Sequence, residues 1–543
     1  MVDDSILECA VDPESVSFLD GPEDFYNTLC NGYRGARSRV VLACLYVGCG
    51  ELETKLIQSI VEAKDKHPSL TIDVLVDKAR TTRVGRSGEI VSPLTLLKPY
   101  LGGEHRTNVA LFHNPLLGRW LSKMVKSPYC EALGTMHIKI YIADDDCIIT
   151  GANAGRDYFC DRYDRYMLVR DPLFADLMHT FVKTFQTASF ALTEKLTVEW
   201  QTDMVNPLDD NMLFRKQLYI RTQHMVRMCE DILRKNRSRH NGTTLDQHES
   251  PNKIRAVGTR RNSVDGATTP NGTVTTKPAK AHLGHNAVDM EYGIQHSGKT
   301  ADDALDADNY CFIKICLHLP FTKPAFMQGV NMLEEWLLGY AHEGYSAFIA
   351  TAYLNFTDRY FAMFKEILEA GKKHNKQRPL QVVTSSPYAN SFYRDGILKR
   401  NIALFYSTAA TWLFKALKGG NKYPEDIYME YNRENHTFHA KGIWILKDRV
   451  PLEAAHKSEN EFNRCVEPPC ATVIGSSNYG KRSYDRDMEI TLLVETNSPK
   501  IRRFMRRELY NMLKYSSYVP CDVVASRVGP HQHLIGHIMK SLL

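Results

Sequence analysis

The chain has no apolar run approaching the ~18 residues needed to cross a bilayer. Its longest candidates, VVLACLYV (40–47) and FIATAYL (348–354), are strand length. Its 13 cysteines are scattered singly, odd in number and without a C-x-x-C pair. Neither a zinc ribbon nor a disulfide framework is therefore expected, and the thiols read as reduced, as in an intracellular compartment. The first 33 residues hold no Lys or Arg but eight Asp or Glu, so no Arg-rich transit sequence is expected there, and no secretory signal is visible. A net charge of +5 over 543 residues is too dilute for the basic stripe of a nucleic-acid binder, although it permits an anionic substrate. Any membrane contact is expected to be peripheral.

What the chain does have is a doubled pattern. With 43% apolar residues it can fill sizeable cores, and its length implies two large domains or two halves of one. From about residue 235 the sequence turns polar and rich in Gly, Asn, Thr and Pro, burying too little apolar surface to offset its ordering entropy. The expected organisation is a first half over 1–225, a disordered linker or insertion over 226–308, and a second half over 309–543. Within the linker RRNS (260–263) resembles a basic-directed kinase site at Ser263, although a chance string is the simpler reading. On one side of it a strand RVVLACLYVG (39–48), a helical ELETKLIQSIVEAK and a strand LTIDVLVD follow in order. On the other side YSAFIATAYL (345–354), DRYFAMFKEILEAGKK and LQVVTSS repeat that order. Strand–helix–strand units imply parallel or mixed sheets flanked by helices, hence an α/β fold of two tandem halves related by a pseudo-twofold.

His-x-Lys occurs three times, at His137/Lys139, His374/Lys376 and His439/Lys441. The first lies in MHIKIYIAD (136–144), whose alternation predicts a strand with Ile138, Ile140 and Ile142 toward a core. His137, Lys139 and Tyr141 then share a face left for chemistry. Tyr46 precedes His137 by 91 residues and Tyr353 precedes His439 by 86, so these two histidines hold equivalent places. Each is followed by a strand, a turn and an asparagine (Asn153 or Asn478), then, eleven residues on, an acid (Asp164 or Glu489). His374 sits in the loop string KKHNKQRP, with Asn401 where the acid should stand, and is set aside.

The doubled set suits phosphoryl transfer without a metal. A neutral imidazole is a competent nucleophile, and a carboxylate on its other nitrogen fixes tautomer and orientation. Asp164 and Glu489 could each serve one histidine so. Lys139, Lys441, Asn153 and Asn478 can hold non-bridging phosphate oxygens, while the second histidine protonates the leaving group and then activates the acceptor.

These residues carry a family resemblance. HIKIYIAD with Asn153, and FHAKGIW with GSSNYGKRS, resemble the two His-Lys-Asp motifs of the phospholipase D superfamily. LACLYVGCGELE (42–53), LFHNPLLGRWL (111–121), IATAYLNFTDRY (349–360) and SSPYANSFY (385–393) resemble its eukaryotic phosphatidylglycerophosphate synthase branch. The resemblance covers most of 35–200 and 310–500. It implies the phospholipase D fold and transfer of a phosphatidyl group from CDP-diacylglycerol to glycerol 3-phosphate, on the route to phosphatidylglycerol and cardiolipin. It implies catalytic roles for His137, Lys139, Asp144, His439 and Lys441, with His137 as nucleophile, support from Asn153, Asp164, Asn478 and Glu489, and no cofactor.

Seven residues after the second histidine stands Leu446 where the superfamily has Asp, a departure that the branch and tyrosyl-DNA phosphodiesterase share. An end-processing enzyme of that kind and a phospholipase D-type hydrolase are therefore the alternatives; no nucleic-acid partner is expected. The branch works at the mitochondrial inner membrane, which makes peripheral contact with an anionic membrane surface the expectation. Arg80 and Arg83 in DKARTTR, and Arg433, match basic positions of the branch and are candidates for substrate binding. For the membrane, STAATWLFKALKGG (407–420) reads as an interfacial helix, and KIRRFMRRELYNMLKY (500–515) could turn Arg502, Arg503, Arg506 and Arg507 outward; core packing competes in both. His531, His533 and His537 have no acidic or thiol partner in reach, and no metal is assigned.

Overall fold

The computed structural model describes residues 7–81, 92–124, 133–240, 309–393, 397–418, 427–529 and 536. Ser263 with most of the linker, Arg83, and His531, His533 and His537 lie outside them.

The repeated units build two sheets. With strands numbered along the chain, one nine-stranded sheet runs β11 (Val198–Trp200), β10 (Phe190–Leu192), β5 (Thr107–Phe112), β4 (Thr71–Asp77), β3 (Arg39–Cys44), β6 (Ile140–Ala143), β7 (Asp146–Thr150), β9 (Tyr166–Arg170), β2 (Val16–Phe18). The other runs β1 (Leu7–Ala10), β12 (Cys311–His318), β19 (Glu489–Thr496), β18 (Ala471–Gly475), β17 (Gly442–Leu446), β13 (Ser346–Thr351), β14 (Leu380–Ser385), β15 (Tyr428–Tyr431), β20 (Ser516–Tyr518). The stretch β5-β4-β3-β6-β7-β9 matches β15-β14-β13-β17-β18-β19 strand for strand. In both, the first three strands pair in parallel and the rest antiparallel. A separate parallel pair joins β8 (Arg162–Tyr163) to β16 (Thr437–Phe438).

Local chemistry accounts for these elements. β3 and β13 are buried along almost their whole length, which is why they read as unbroken apolar runs. The helix Glu51–Lys66 buries Leu56, Ile57, Ile60 and Ala63 on one face, with acids in its first turn and lysines in its last to suit the helix dipole. Its counterpart Asp358–Lys373 is capped by Thr357, which accepts from the Tyr360 amide, and buries Met363, Phe364 and Ile367. One apolar core draws Ile140, Ile149 and Met167 together with Phe348, Trp444 and Ile490, so the two sheets share it.

Several expectations need correction. The helix Asn211–His240 runs through 226–240, assigned above to the linker, because Val226, Cys229 and Leu233 recur at helical spacing and are buried. β1 lies within the 1–225 half yet pairs with β12 of the second sheet. MHIKIYIAD is strand only over Ile140–Ala143, and Tyr141 is as buried as Ile140 and Ile142, so neither side is left open there. The 407–418 stretch packs Leu413, Phe414 and Leu417 into the core. In the helix Pro499–Leu513, Arg502 and Arg506 donate to the carbonyls of Pro468, Pro469, Asn463 and Val466, and Arg507 pairs with Asp20, so those cations bind their own chain. Among the described residues, no helix is long and apolar enough to cross a membrane.

Candidate active site

Each catalytic-type histidine enters the site on a short backbone crossing between the halves. The His137 amide donates to the Met488 carbonyl (2.9 Å) and the Met488 amide to the Thr135 carbonyl (3.0 Å). In the other half the His439 amide donates to the Tyr163 carbonyl (2.8 Å) and the Thr437 amide to the Asp161 carbonyl (2.9 Å). Met488 and Tyr163 immediately precede Glu489 and Asp164. The crossings therefore hand each histidine the acid of the opposite half. His137 Nδ1 lies 3.1 and 3.0 Å from the two Glu489 oxygens. His439 Nδ1 lies 2.6 Å from Asp164 Oδ2.

The supporting donors differ between the halves. Glu489 also accepts from Ser483 Oγ (2.7 Å) and Ser476 Oγ. Gly151 holds the place of Ser476, and a Cβ there would meet Lys441 Nζ and the Asp164 carboxylate at 2.5–2.9 Å. This explains why the first turn reads Thr-Gly-Ala-Asn and the second Gly-Ser-Ser-Asn. Lys441 Nζ sits 2.7 Å from His439 Nδ1 and 3.5 Å from Asp164 Oδ2. Lys139 Nζ donates to the His137 carbonyl (2.7 Å).

Burial sets the protonation states. It is the main reason that both histidines fall well below their ordinary pKa, aided by Lys139 at His137 and by Lys441 at His439. Burial also pushes Lys139 down to about 7 and lowers Lys441. Asp164 and Glu489 are raised by the same desolvation, which the lysines oppose. The outcome is two neutral imidazoles, each donating Nδ1–H to a carboxylate and presenting Nε2 for chemistry.

The other expected residues divide. Asn153 is engaged, with Oδ1 accepting from the Leu45 amide (3.2 Å) and Nδ2 donating to Tyr158 Oη (3.2 Å). Asn478 Oδ1 is buried and has no hydrogen-bond partner among the described residues, as suits a group awaiting a ligand. Asp144 does not join the site. It stands past the far end of β6, on the order of 20 Å of strand from His137. There it accepts from the amides of Arg37, Ser38 and Arg39 and from Ser38 Oγ. Leu446, its counterpart, ends β17 in the core, so what the second half lacks is a turn clamp. Arg80 lies over the Tyr46 ring (4.3 Å), near His439's surroundings. Arg433 lies over the Tyr515 ring (4.8 Å). His374 hydrogen-bonds to the His342 carbonyl at the end of the helix Gln328–His342, a structural role. His137, Asp487 and Glu489 are close enough to ligate a cation, but Thr135, Arg482, Ser476 and Ser483 already bond the carboxylates, so no metal is placed there.

Comparison with known proteins follows the same line. No family model matches the chain. It is 26% identical to the Gallus gallus protein named CDP-diacylglycerol–glycerol-3-phosphate 3-phosphatidyltransferase, mitochondrial, across 93% of this chain and 78% of that one. The Homo sapiens protein of that name is 25% identical over the same shares, 93% and 78%. A Dictyostelium discoideum protein named as a probable enzyme of this kind is 24% identical over 92% of this chain and 72% of its own length. The chain is a relative of these phosphatidyltransferases. Its fold is like that of phosphatidylserine synthase from Haemophilus influenzae, with TM-score 0.59 and 14% identity over 99% of this chain and 98% of that one. The two tandem mixed sheets are the fold shared with that synthase.

Four residues of the phosphatidyltransferase-like site were missed from sequence. Tyr158 Oη lies 3.3 Å from His439 Nε2, the ring nitrogen turned away from Asp164. Arg162 lies over the Tyr158 ring (4.5 Å) and donates to Thr437 Oγ1 (3.2 Å). Asp487 accepts from the Thr135 amide (2.7 Å) and pairs with Arg482 (3.0 Å). The signal was present in DYFCDRYDRY and KRSYDRDME, each rich in ionisable groups just before its acid, but the residues there differ between halves and a search for repeats passes over them.

Proposed function

We propose that the chain transfers the phosphatidyl group of CDP-diacylglycerol to sn-glycerol 3-phosphate, giving phosphatidylglycerophosphate and CMP. The observation that carries this reading is the pair of buried imidazoles, each held by the opposite half's carboxylate, in a chain alike to transferases of that name over most of its length. His137 Nε2 has no hydrogen-bond partner among the described residues and is the nucleophile; its bond to phosphorus forms as the P–O bond to CMP breaks. The incoming diphosphate offsets the charge of Lys139 and Lys441 and so raises the pKa of His439. His439 can then give a proton to CMP and take one from the acceptor hydroxyl, whose oxygen displaces Nε2. Lys139, Lys441 and Asn478 hold the phosphoryl oxygens. The enzyme works as a peripheral protein on the anionic inner membrane of mitochondria, ahead of cardiolipin. The mitochondrial names of the relatives support the organelle. That name also sets aside an end-processing or hydrolytic role.

The test supplies CDP-diacylglycerol in detergent micelles with labelled glycerol 3-phosphate. CMP and lipid-extractable label should appear together. His137→Ala should abolish both, whereas His439→Ala should slow turnover at least ~10²–10⁴-fold and leave acid-labile phosphatidyl-protein to accumulate. CMP release without labelled lipid would sink the transferase reading.

A further inference from the structure

We infer that Arg162 recognises the phosphate of the acceptor and thereby makes the His439 side the one where the acceptor enters. The inference rests on the phosphatidyl-transfer reading. Lys139 and Lys441 flank the transferred phosphoryl group, so an acceptor bearing its own phosphate needs a further cation.

The departure from twofold symmetry supplies one. Arg162 stands two residues before Asp164, and Asp487 two before Glu489. Each bonds the threonine two residues before a histidine: Arg162 Nε donates to Thr437 Oγ1 (3.2 Å), and Asp487 Oδ1 accepts from Thr135 Oγ1 (3.1 Å). Equivalent places thus hold Arg162 beside His439 and, beside His137, a carboxylate that is paired with Arg482 (3.0 Å), which also donates to Thr135 Oγ1 (3.1 Å). Arg482 is held by a buried carboxylate, whereas the carboxylate that holds Arg162 is half exposed and can give way to an anionic acceptor.

The surroundings of Arg162 suit the task. It is 9% exposed and stacked on Tyr158, so its reach is fixed before any ligand arrives. Asp157 holds one end of the guanidinium (2.8 Å), and that carboxylate is half exposed. Arg162 Nη1 has no hydrogen-bond partner among the described residues. The Tyr158 ring centroid lies 5.0 Å from the His439 ring, which places the guanidinium one aromatic ring from the imidazole. A three-carbon acceptor bridges such a gap between its hydroxyl and its phosphate. Tyr353 packs against His439 from another side (5.7 Å), and Tyr46 feels the charge of both Arg162 and Arg80. The compartment facing His439 Nε2 is therefore walled by phenols and cationic, as a phosphomonoester requires.

The probes are sn-glycerol 3-phosphate and glycerol as rival acceptors, with CMP as inhibitor. In Arg162→Gln the ratio of kcat/KM for glycerol 3-phosphate over glycerol should fall at least tenfold, with the KM for CDP-diacylglycerol moving less than threefold. Arg162→Lys should recover part of the ratio. A ratio unmoved while both rates drop would overturn the inference, leaving Arg162 a prop for Thr437 and Tyr158. So would a loss of CMP inhibition with the ratio unmoved, which would give Arg162 to the donor's phosphate. Should Arg162→Gln fail to fold, Asp157→Asn reads the same claim: freeing the guanidinium should lower the KM for glycerol 3-phosphate severalfold, and an unchanged KM would refute it. Wild-type protein that releases no CMP from CDP-diacylglycerol would overturn the reading beneath it, and this inference with it.

Discussion

His439 is held by an aspartate 275 positions before it, and His137 by a glutamate 352 positions after it. The offset of eleven residues from asparagine to acid marked both acids as functional, yet it could not say which histidine each one serves. Counting along the chain sees only one half at a time, whereas the pairing is made where the halves cross. Coupling should follow the crossing. Asp164→Asn combined with His439→Ala should cost little more in kcat/KM than His439→Ala alone, because the two act as one unit. Glu489→Gln combined with His439→Ala in single-turnover CMP release should show no such saving, and the reverse pattern would refute the exchange. The lysines carry a second expectation. Lys139, pushed down to about 7 by burial, is a cation below that pH in the empty site and loses its charge as pH rises through it. Since kcat/KM reports the free enzyme, it should decline on the alkaline side of about 7, while kcat, read with an anionic phosphate bound, holds to higher pH. A kcat/KM profile level to pH 9 would remove Lys139 from phosphate binding.

Elements carried most of what was legible. The strand–helix–strand units, the Gly-containing turns and the equivalence of His137 with His439 all followed from periodicity and spacing, because half-buried helices impose a 3.6-residue repeat and strands buried on both faces read as short unbroken apolar runs. Side-chain roles that depend on where a strand ends did not follow. Asp144 satisfies the motif spacing, but seven residues outrun the strand, and its carboxylate ties down the chain entering β3. Asp144→Ala should therefore lower stability by about 1–3 kcal/mol in denaturant melts, by stranding those amides. Activity per folded molecule should fall less than threefold; a loss comparable to that of His137→Ala would restore a catalytic role. Arg165 shows the same limit. One residue past Asp164, it spans to the second half, donating to the Val473 carbonyl (2.7 Å) and Thr472 Oγ1 (3.0 Å) and stacking on Trp444 (4.0 Å). Gly442 leaves it room, since a Cβ there would collide with the guanidinium. Neither member of this strut repeats in the other half, so no internal comparison could find it.

At the scale of the whole molecule, the peripheral membrane contact proposed above needs a face, and the two stretches nominated from sequence are spent on packing and backbone carbonyls. Composition could not separate an interfacial helix from a core helix, because both bury one apolar stripe. The described surface offers another place. Trp120 is 70% exposed, Met124 62%, Met212 50% and Leu213 41%. Arg119 reaches Asp209 (3.5 Å) and Asn211 donates to the Pro115 carbonyl, so these residues belong to adjoining segments. In the same loop Asn114 Nδ2 donates to the Arg486 carbonyl (3.0 Å), next to Asp487, which ties this surface to the His137 side of the site. Water-facing indole and thioether groups on adjoining segments gain free energy by entering a lipid headgroup layer. Replacing both Trp120 and Met124 by Ser should weaken sedimentation with phosphatidylcholine–phosphatidylglycerol vesicles roughly tenfold, equivalent to about 1.4 kcal/mol. Turnover of a short-chain, water-soluble CDP-diacylglycerol should not change, because that substrate needs no bilayer. Equal losses on both substrates would mean that the loop shapes the site, and undiminished vesicle binding would place the membrane face elsewhere on the molecule.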